Sequence, residues 1–154
     1  AVVRSATPLL VEVASRQYRI LEFPRSYRVQ PDLRVQAVQL LGVLGGEAAV
    51  TQVTDSMLHD PDSSVRGIAA ITLATMRWTE ADYTAVTRAL RSAHIRRDEL
   101  EVRRLLVAVE LLSGNRWLPV PGQLVDSLSQ IAAGSYSASV RNQASTILLS
   151  FLDR

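Results

Sequence analysis

Side chains that commonly carry catalysis or bind metal ions are few in this sequence. It contains no cysteine, so disulfides and thiolate metal sites are excluded. The two histidines, His59 and His94, lie far apart in the chain, and neither has a second histidine four residues away, as a zinc-binding helix would. Lysine is absent, which excludes a P-loop. We therefore predict no cofactor, no metal site and no catalytic residue.

Arginine supplies all 17 basic residues of the chain. Guanidinium groups bind carboxylates and phosphates through two parallel hydrogen bonds, so an arginine-rich surface could serve either ligand. However, 15 acidic residues leave a formal net charge of only +2. Acidic residues also interrupt the densest arginine cluster, which comprises Arg88, Arg91, Arg96, Arg97, Arg103 and Arg104. Because nucleic-acid-binding surfaces are usually more one-sided, this pattern argues against a nucleic-acid partner.

The elements that must position these side chains are helices. Apolar residues recur at helical spacing along most of the chain, and no segment alternates like a strand. Helix starts are predicted at Thr7-Pro8, Pro31-Asp32, Glu47, Ser63, Thr79, Asp98, Gln123 and Ser137 or Ser139. Residues 79–82, Thr-Glu-Ala-Asp, have the form of a capping box, and an aspartate beside Pro61 is expected to cap the following helix. Two prolines bracket residues 19–31, and the pattern is compatible with either a short second helix or an extended arm at Ile20–Phe23.

One short pattern recurs in the chain. An apolar residue precedes an arginine at Arg34, Arg66, Arg103 and Arg141, and small or apolar residues follow at helical spacing. Self-similarity with a period of about 30–50 residues indicates stacked helical hairpins. The four arginines then lie early on the second helix of a hairpin. We expect them to form a structural ladder with carboxylates in the turns of their own or the adjacent repeat.

The pattern is clearest at Asp60-Pro61-Asp62 and Val65-Arg66, and it resembles the bacterial form of the HEAT repeat. The resemblance covers roughly residues 28–152, although Glu110 stands where the family has leucine. It implies an all-α fold: an α-solenoid of about four HEAT-like hairpins in one domain, residues 1–154. The predicted hairpins are residues 1–30, which are degenerate, 31–58 with offset pairing, 59–114 and 115–154.

Repeat arrays of this kind mostly present extended binding surfaces. We therefore predict a protein–protein interaction scaffold without catalysis, whose partner is another protein. The candidate contact residues follow the repeated arginine or lie near it: Gln36, Gln39, Arg104 and Asn142. The last helix is apolar to its end, so its apolar face packs against the preceding helix, continues into a further repeat or forms a homodimer. The first residue is alanine, so we expect a processed chain or a piece of a longer one.

Two alternative functions come from the same resemblance. Trp78 and Asp82 are four residues apart, and DNA glycosylases with HEAT-like folds use aromatic residues with a carboxylate. This alternative is a nucleic-acid-binding or DNA-repair module. Bilin lyases, which attach tetrapyrroles to phycobiliproteins, contain the same repeat type, so a chromophore-attaching protein is the second alternative. With no signal peptide and no apolar run of membrane-spanning length, no membrane span is predicted and the default location is cytoplasmic.

Overall fold

The structure is a computed structural model that describes residues 2–15, 30–77 and 79–152, with side chains from residue 7 onward. Over these residues the chain forms eight α-helices and no strand, which confirms the all-α prediction. The helices are α1 (Val2–Ala14), α2 (Pro31–Leu44), α3 (Glu47–His59), α4 (Ser63–Met76), α5 (Glu80–Arg96), α6 (Glu99–Ser113), α7 (Gly122–Ala133) and α8 (Ala138–Leu152). Among them, none combines the length and apolar character needed to cross a lipid bilayer.

The chain divides into two compact units, Ala1–Met76 and Arg77–Arg154. In unit 1, α1 pairs with α2 and α3 with α4; α1 also packs against α3, and α2 against both α3 and α4. In unit 2, α5 pairs with α6 and α7 with α8, while α5 packs against α7 and α6 against α8. The predicted hairpin 59–114 groups α4 with α5 and α6. In the structure α4 pairs with α3, because the short Asp60–Asp62 turn folds it back onto that helix.

Each unit has a core built from aliphatic side chains. In unit 1 it includes Leu41, Met57 and Leu73, and in unit 2 Leu105 and Leu128, all with almost no exposed surface. Burying a side chain of this size stabilises the fold by about 1.5–3 kcal/mol. Because aromatic residues are scarce, the packing relies on leucine, valine and alanine, which allow neighbouring helices to approach closely.

The helix ends follow local sequence signals closely. Thr79 and Asp82 form the predicted capping box at the start of α5, and Gly45, with φ +67°, ends α2. Asp62 accepts a hydrogen bond from the backbone N–H of Ser64 and thereby caps α4. The first helix differs from its prediction: it begins at Val2, so Pro8 lies inside it. A proline suits a helix start but does not forbid a preceding turn, so Thr7-Pro8 alone could not fix this boundary.

Candidate functional site

Arg34, in the first turn of α2, forms a buried ion pair with Asp60 in the α3–α4 turn. Its Nε and Nη2 donate to the two carboxylate oxygens, each at 2.9 Å. The two residues are 3% and 2% exposed. Asp60 Oδ1 also accepts the backbone N–H of Asp62 at 2.9 Å. Two parallel charge-assisted bonds at a buried site fix the position of one hairpin on the next within unit 1.

The other repeated arginines make different contacts. Arg66 donates to the backbone carbonyl of Asp60 at 2.6 Å, and Arg141 donates to the backbone carbonyl of Tyr136. Arg103 is half-exposed and lies 3.7 Å from Glu99, one turn earlier on its own helix. Arg34 thus pairs with a turn carboxylate, as the predicted ladder requires, and Arg66 and Arg141 donate to a backbone carbonyl in the turn of their own hairpin.

The carboxylate of Asp82, proposed above as half of a repair site, is committed to local structure. It accepts hydrogen bonds from the Arg77 guanidinium at 3.0 and 3.1 Å, and from the hydroxyl and N–H of Thr79. The side chain is almost completely buried. Such a group is not available to attack or orient a base. Trp78, the other half of that site, lies outside the described residues.

Gln36 and Gln39 lie on an exposed face of α2. Leu33, Leu40 and Val43 flank them at helical spacing, with exposed fractions of 50%, 51% and 83%. We call these five residues the α2 face. Large aliphatic side chains that stay exposed together, with amide groups between them, are typical of protein-binding surfaces.

Arg104 and Asn142 lie in unit 2 on α6 and α8, two helices that pack against each other. Asn142 is exposed and Arg104 is half-buried. Farther along the same helices, Gln143 donates to Glu110 at 3.3 Å, and Leu149 is exposed. Thus the four predicted contact residues fall into two sets: Gln36 and Gln39 in unit 1, and Arg104 and Asn142 in unit 2.

Unit 2 also contains a groove that runs along α5 and α7 to the turns at their ends. A pocket of about 560 Å³ is lined by His94, Ile95, Arg97, Glu99, Gln130, Gly134, Ser135 and Tyr136. A second pocket of about 260 Å³ shares His94, Ile95 and Gln130 with it and adds Arg91, Gln123, Asp126 and Ser127. We call the two adjoining pockets the seam groove. The larger one lies within the size range of small-molecule and peptide side-chain sites.

Two of the residues that line the larger pocket, His94 and Tyr136, are joined by a side-chain hydrogen bond. His94 Nδ1 and the Tyr136 hydroxyl are 2.9 Å apart, and the ring centroids are separated by 5.8 Å. Burial raises the pKa of the Tyr136 phenol above its ordinary value of 10.0. The phenol therefore stays protonated at neutral pH and remains a hydrogen-bond partner for the imidazole.

Arg97 holds an unusual backbone position at the rim of this pocket. Its φ of +56° and ψ of +33° place it in the left-handed region, where glycine is the usual residue. Its N–H bonds to the carbonyl of His94 at 3.0 Å, and the N–H of Asp98 bonds to the carbonyl of Ala93 at 3.3 Å. These two bonds form a Schellman motif that ends α5.

The sequence did not reveal the seam groove. His94 lies in the last turn of α5, and Tyr136 belongs to no motif recognised in the sequence. The available signal was an isolated tyrosine in a Gly-Ser-Tyr-Ser turn of an aromatic-poor chain. Within the described residues no group of histidine and acidic side chains could hold a metal ion, and no buried side-chain polar atom lacks a hydrogen bond.

No protein-family model matches this chain, and neither the curated proteins nor the solved structures contain a match.

Proposed function

We propose that this protein is a helical-repeat scaffold that binds another protein through the exposed faces of its second helices. In this proposal the hairpins stack as a HEAT-like α-solenoid. The contacts within each unit support it, because first helices pack on first helices and second helices on second helices. Stacking of this kind is how repeat proteins bury apolar surface that a single hairpin leaves open.

The observation that carries the proposal is the α2 face. Leu40 and Val43 remain exposed on the same side of the helix as Gln36 and Gln39. Binding a partner would remove these aliphatic side chains from water, at about 25 cal/mol per Å² of apolar surface buried. The amide groups between them can hydrogen-bond to a partner's backbone and so contribute specificity.

Affinity capture from the source lysate, with the chain immobilised, tests this function. We expect a protein retained by the wild type to be lost by the double variant Leu40→Glu and Val43→Glu, because two carboxylates would be buried without partners. Ala48→Glu, an exposed position on α3, is the matched control for added charge. Circular dichroism checks that all three proteins fold. Equal capture by the wild type and the double variant would contradict the proposal.

The captured protein is then purified and titrated calorimetrically against the same three chains. We expect the double variant to weaken binding at least tenfold and Ala48→Glu to leave it within twofold. Light scattering over a concentration series shows whether the partner is a second copy of this chain. A self-association that the double variant abolishes would identify the α2 face as a homodimer interface instead.

A further inference from the structure

One end of unit 2 exposes large apolar side chains from four neighbouring segments. These segments are the last turns of α6 and α8, the α6–α7 loop at residues 114–121 and the first turn of α7. The side chains are, in chain order, Leu111, Trp117, Val125, Leu149 and Leu152, and we call them the apolar end. Trp117 is 94% exposed, although a tryptophan usually has most of its surface buried.

The pairing of the helices brings these segments together. α6 and α8 run in the same direction, because Glu99 at the start of α6 meets Ser137 just before α8, and Glu110 farther along α6 meets Gln143 farther along α8. α7 forms a hairpin with α8, so the start of α7 lies beside the end of α8. The α6–α7 loop joins the end of α6 to the start of α7. The apolar end is therefore one region of unit 2.

The loop that carries Trp117 is held in shape by its own contacts. Asn115 Oδ1 accepts the N–H of Trp117 at 3.2 Å, and the Asn115 carbonyl accepts the N–H of Leu118 at 3.2 Å. Pro119 and Pro121 fix two further φ angles of the loop. Because ordering a loop costs binding free energy, a loop that is already ordered lets more of the indole's apolar area contribute to affinity.

The charges around the apolar end indicate a second copy of the chain as its occupant. From Asn142 to Leu152, α8 carries no charged residue. At the margin, the exposed Arg116 lies between two exposed acidic residues of the flanking helices, Glu110 and Asp126. In a symmetric dimer the same patch supplies both sides of the contact, so it must be complementary to itself. An uncharged helix can lie against its own copy without like-charge repulsion, and a margin with both signs can set the cation of one copy opposite an acid of the other.

The apolar side chains also have the composition of a dimer interface. A stable interface buries roughly 800 Å² on each partner, and one tryptophan can contribute roughly 150–250 Å² of that area. Leu149 and Leu152, which are 61% and 81% exposed, continue the apolar surface along α8. Aromatic residues are enriched and charged residues depleted at the centre of such interfaces, as they are here.

We propose that two copies of this chain associate through their apolar ends, with the α8 helices side by side about a two-fold axis and each Trp117 buried against the partner copy. This surface is separate from the α2 face, so the inference does not rest on the scaffold function. A dimer carries two α2 faces, and it therefore binds a multivalent partner more tightly than a single chain does.

Sedimentation equilibrium of the full chain over a concentration series tests the proposal. We expect the wild type to be a dimer that dissociates on dilution. Leu149→Glu should raise the dissociation constant about tenfold or more, because each copy would bury a carboxylate without a partner. Trp117→Ala should have an effect of similar size, as truncation of an interface tryptophan commonly does.

Ala138→Glu is the matched control, because it adds the same charge to an exposed position at the other end of α8. It should change the dissociation constant by less than about twofold. All three substituted positions are exposed, so we expect each variant to fold, and circular dichroism checks this.

A wild type that stays monomeric over the series overturns the proposal, and so does a dimer that Leu149→Glu and Trp117→Ala leave unchanged. If a monomeric chain loses its captured partner through Leu149→Glu, the apolar end binds that protein instead. If a monomeric chain sediments with phosphatidylserine vesicles and Trp117→Ala does not, the apolar end contacts lipid instead. A dimer lost only in the Leu40→Glu and Val43→Glu variant places the interface on the α2 face. The scaffold function is judged separately, by capture of a partner.

Discussion

Each unit has a turn that contacts the start of a helix in the neighbouring hairpin of the same unit: the α3–α4 turn in unit 1 and the α7–α8 turn in unit 2. The helix residue that contacts the turn carries opposite charge in the two units. In unit 1, a cation at the start of α2, Arg34, pairs with an anion in the turn, Asp60. In unit 2, the residue at the start of α6 is an anion, Glu99, and it meets a backbone N–H in the turn at 3.4 Å. The unit 1 contact is buried, whereas the unit 2 contact borders an open pocket.

What the two turns share is local. In each, the fourth residue of the following helix is an arginine, Arg66 or Arg141, that donates to a backbone carbonyl of the turn. The repeated pattern thus specifies how a hairpin closes, while the residue types around it decide how two hairpins meet. The same architecture can therefore hold a buried ion pair in one unit and an open groove in the other.

The largest expected effect comes from breaking the buried contact of unit 1. Arg34→Met should lower the free energy of unfolding by about 3–5 kcal/mol, because it leaves the Asp60 carboxylate buried without its cation. Denaturant unfolding followed by circular dichroism measures the loss. Hydrogen exchange should show faster opening of α3 and α4 and little change at the α7–α8 turn.

The matched control is Arg103→Met in unit 2, which removes the same charge from a half-exposed pair. We expect a loss of less than about 1 kcal/mol, as for surface ion pairs in general. Similar losses in both variants would show that burial does not distinguish the two contacts and would break the comparison.

The second prediction concerns the packing behind the unit 1 contact. Gly42 on α2 lies against Thr72 on α4, and a methyl group at position 42 would overlap the Thr72 Cγ2 atom. Gly42→Ala should therefore destabilise the protein by about 1–3 kcal/mol, despite the better helix propensity of alanine. Gly122→Ala, which meets nothing within 4 Å, should be neutral or slightly stabilising in the same thermal unfolding assay.

The third prediction concerns unit 2 and the capping box at the start of α5, the helix whose last turns line the seam groove. Thr79→Ala removes the hydroxyl that accepts the N–H of Asp82 in the capping box. We expect a loss of about 1 kcal/mol in chemical denaturation, with faster hydrogen exchange in the first turn of α5. Thr84→Ala, at an exposed position inside the same helix, should cost nothing; an equal loss there would exclude capping as the cause.

The smallest effect depends on pH and lies at the unit 1 turn. Hydrogen bonds from the Ser64 hydroxyl, and then from backbone N–H groups, lower the pKa of the Asp62 carboxyl below 3.8. The carboxylate form is therefore favoured in the folded state, and this stabilisation is present above pH 3.8 and lost as the pH falls through the folded-state pKa. Ser64→Ala should destabilise the protein by roughly 0.5–1 kcal/mol at pH 7.

A pH series of denaturant midpoints checks this prediction. The difference between Ser64→Ala and the wild type should shrink once Asp62 is protonated in both folded and unfolded chains. A difference that stays constant from pH 7 to well below 3.8 would mean that the Ser64 hydroxyl acts without the Asp62 charge.

Much of the helical organisation could be predicted from short stretches of sequence. The capping box at Thr79, the Asp62 cap and the Gly45 stop each involve a few consecutive residues, and all three are present. The start of α1 could not be predicted in this way, because a proline such as Pro8 can either begin a helix or lie within one that has already begun. Gln36 and Gln39, which the sequence predicts as partner contacts, are exposed, whereas nothing in the sequence indicated that Val43 beside them is exposed too.

By itself the sequence determined which segments become helices and where most of them end, since those choices depend on neighbours within one or two turns. The tertiary structure decided which partner each charged or aromatic side chain meets. Arg34 and Asp60 are 26 residues apart, and His94 and Tyr136 are 42 apart. Such pairs form only when two hairpins pack in one particular register, and that register is set by the shapes of many buried side chains acting together.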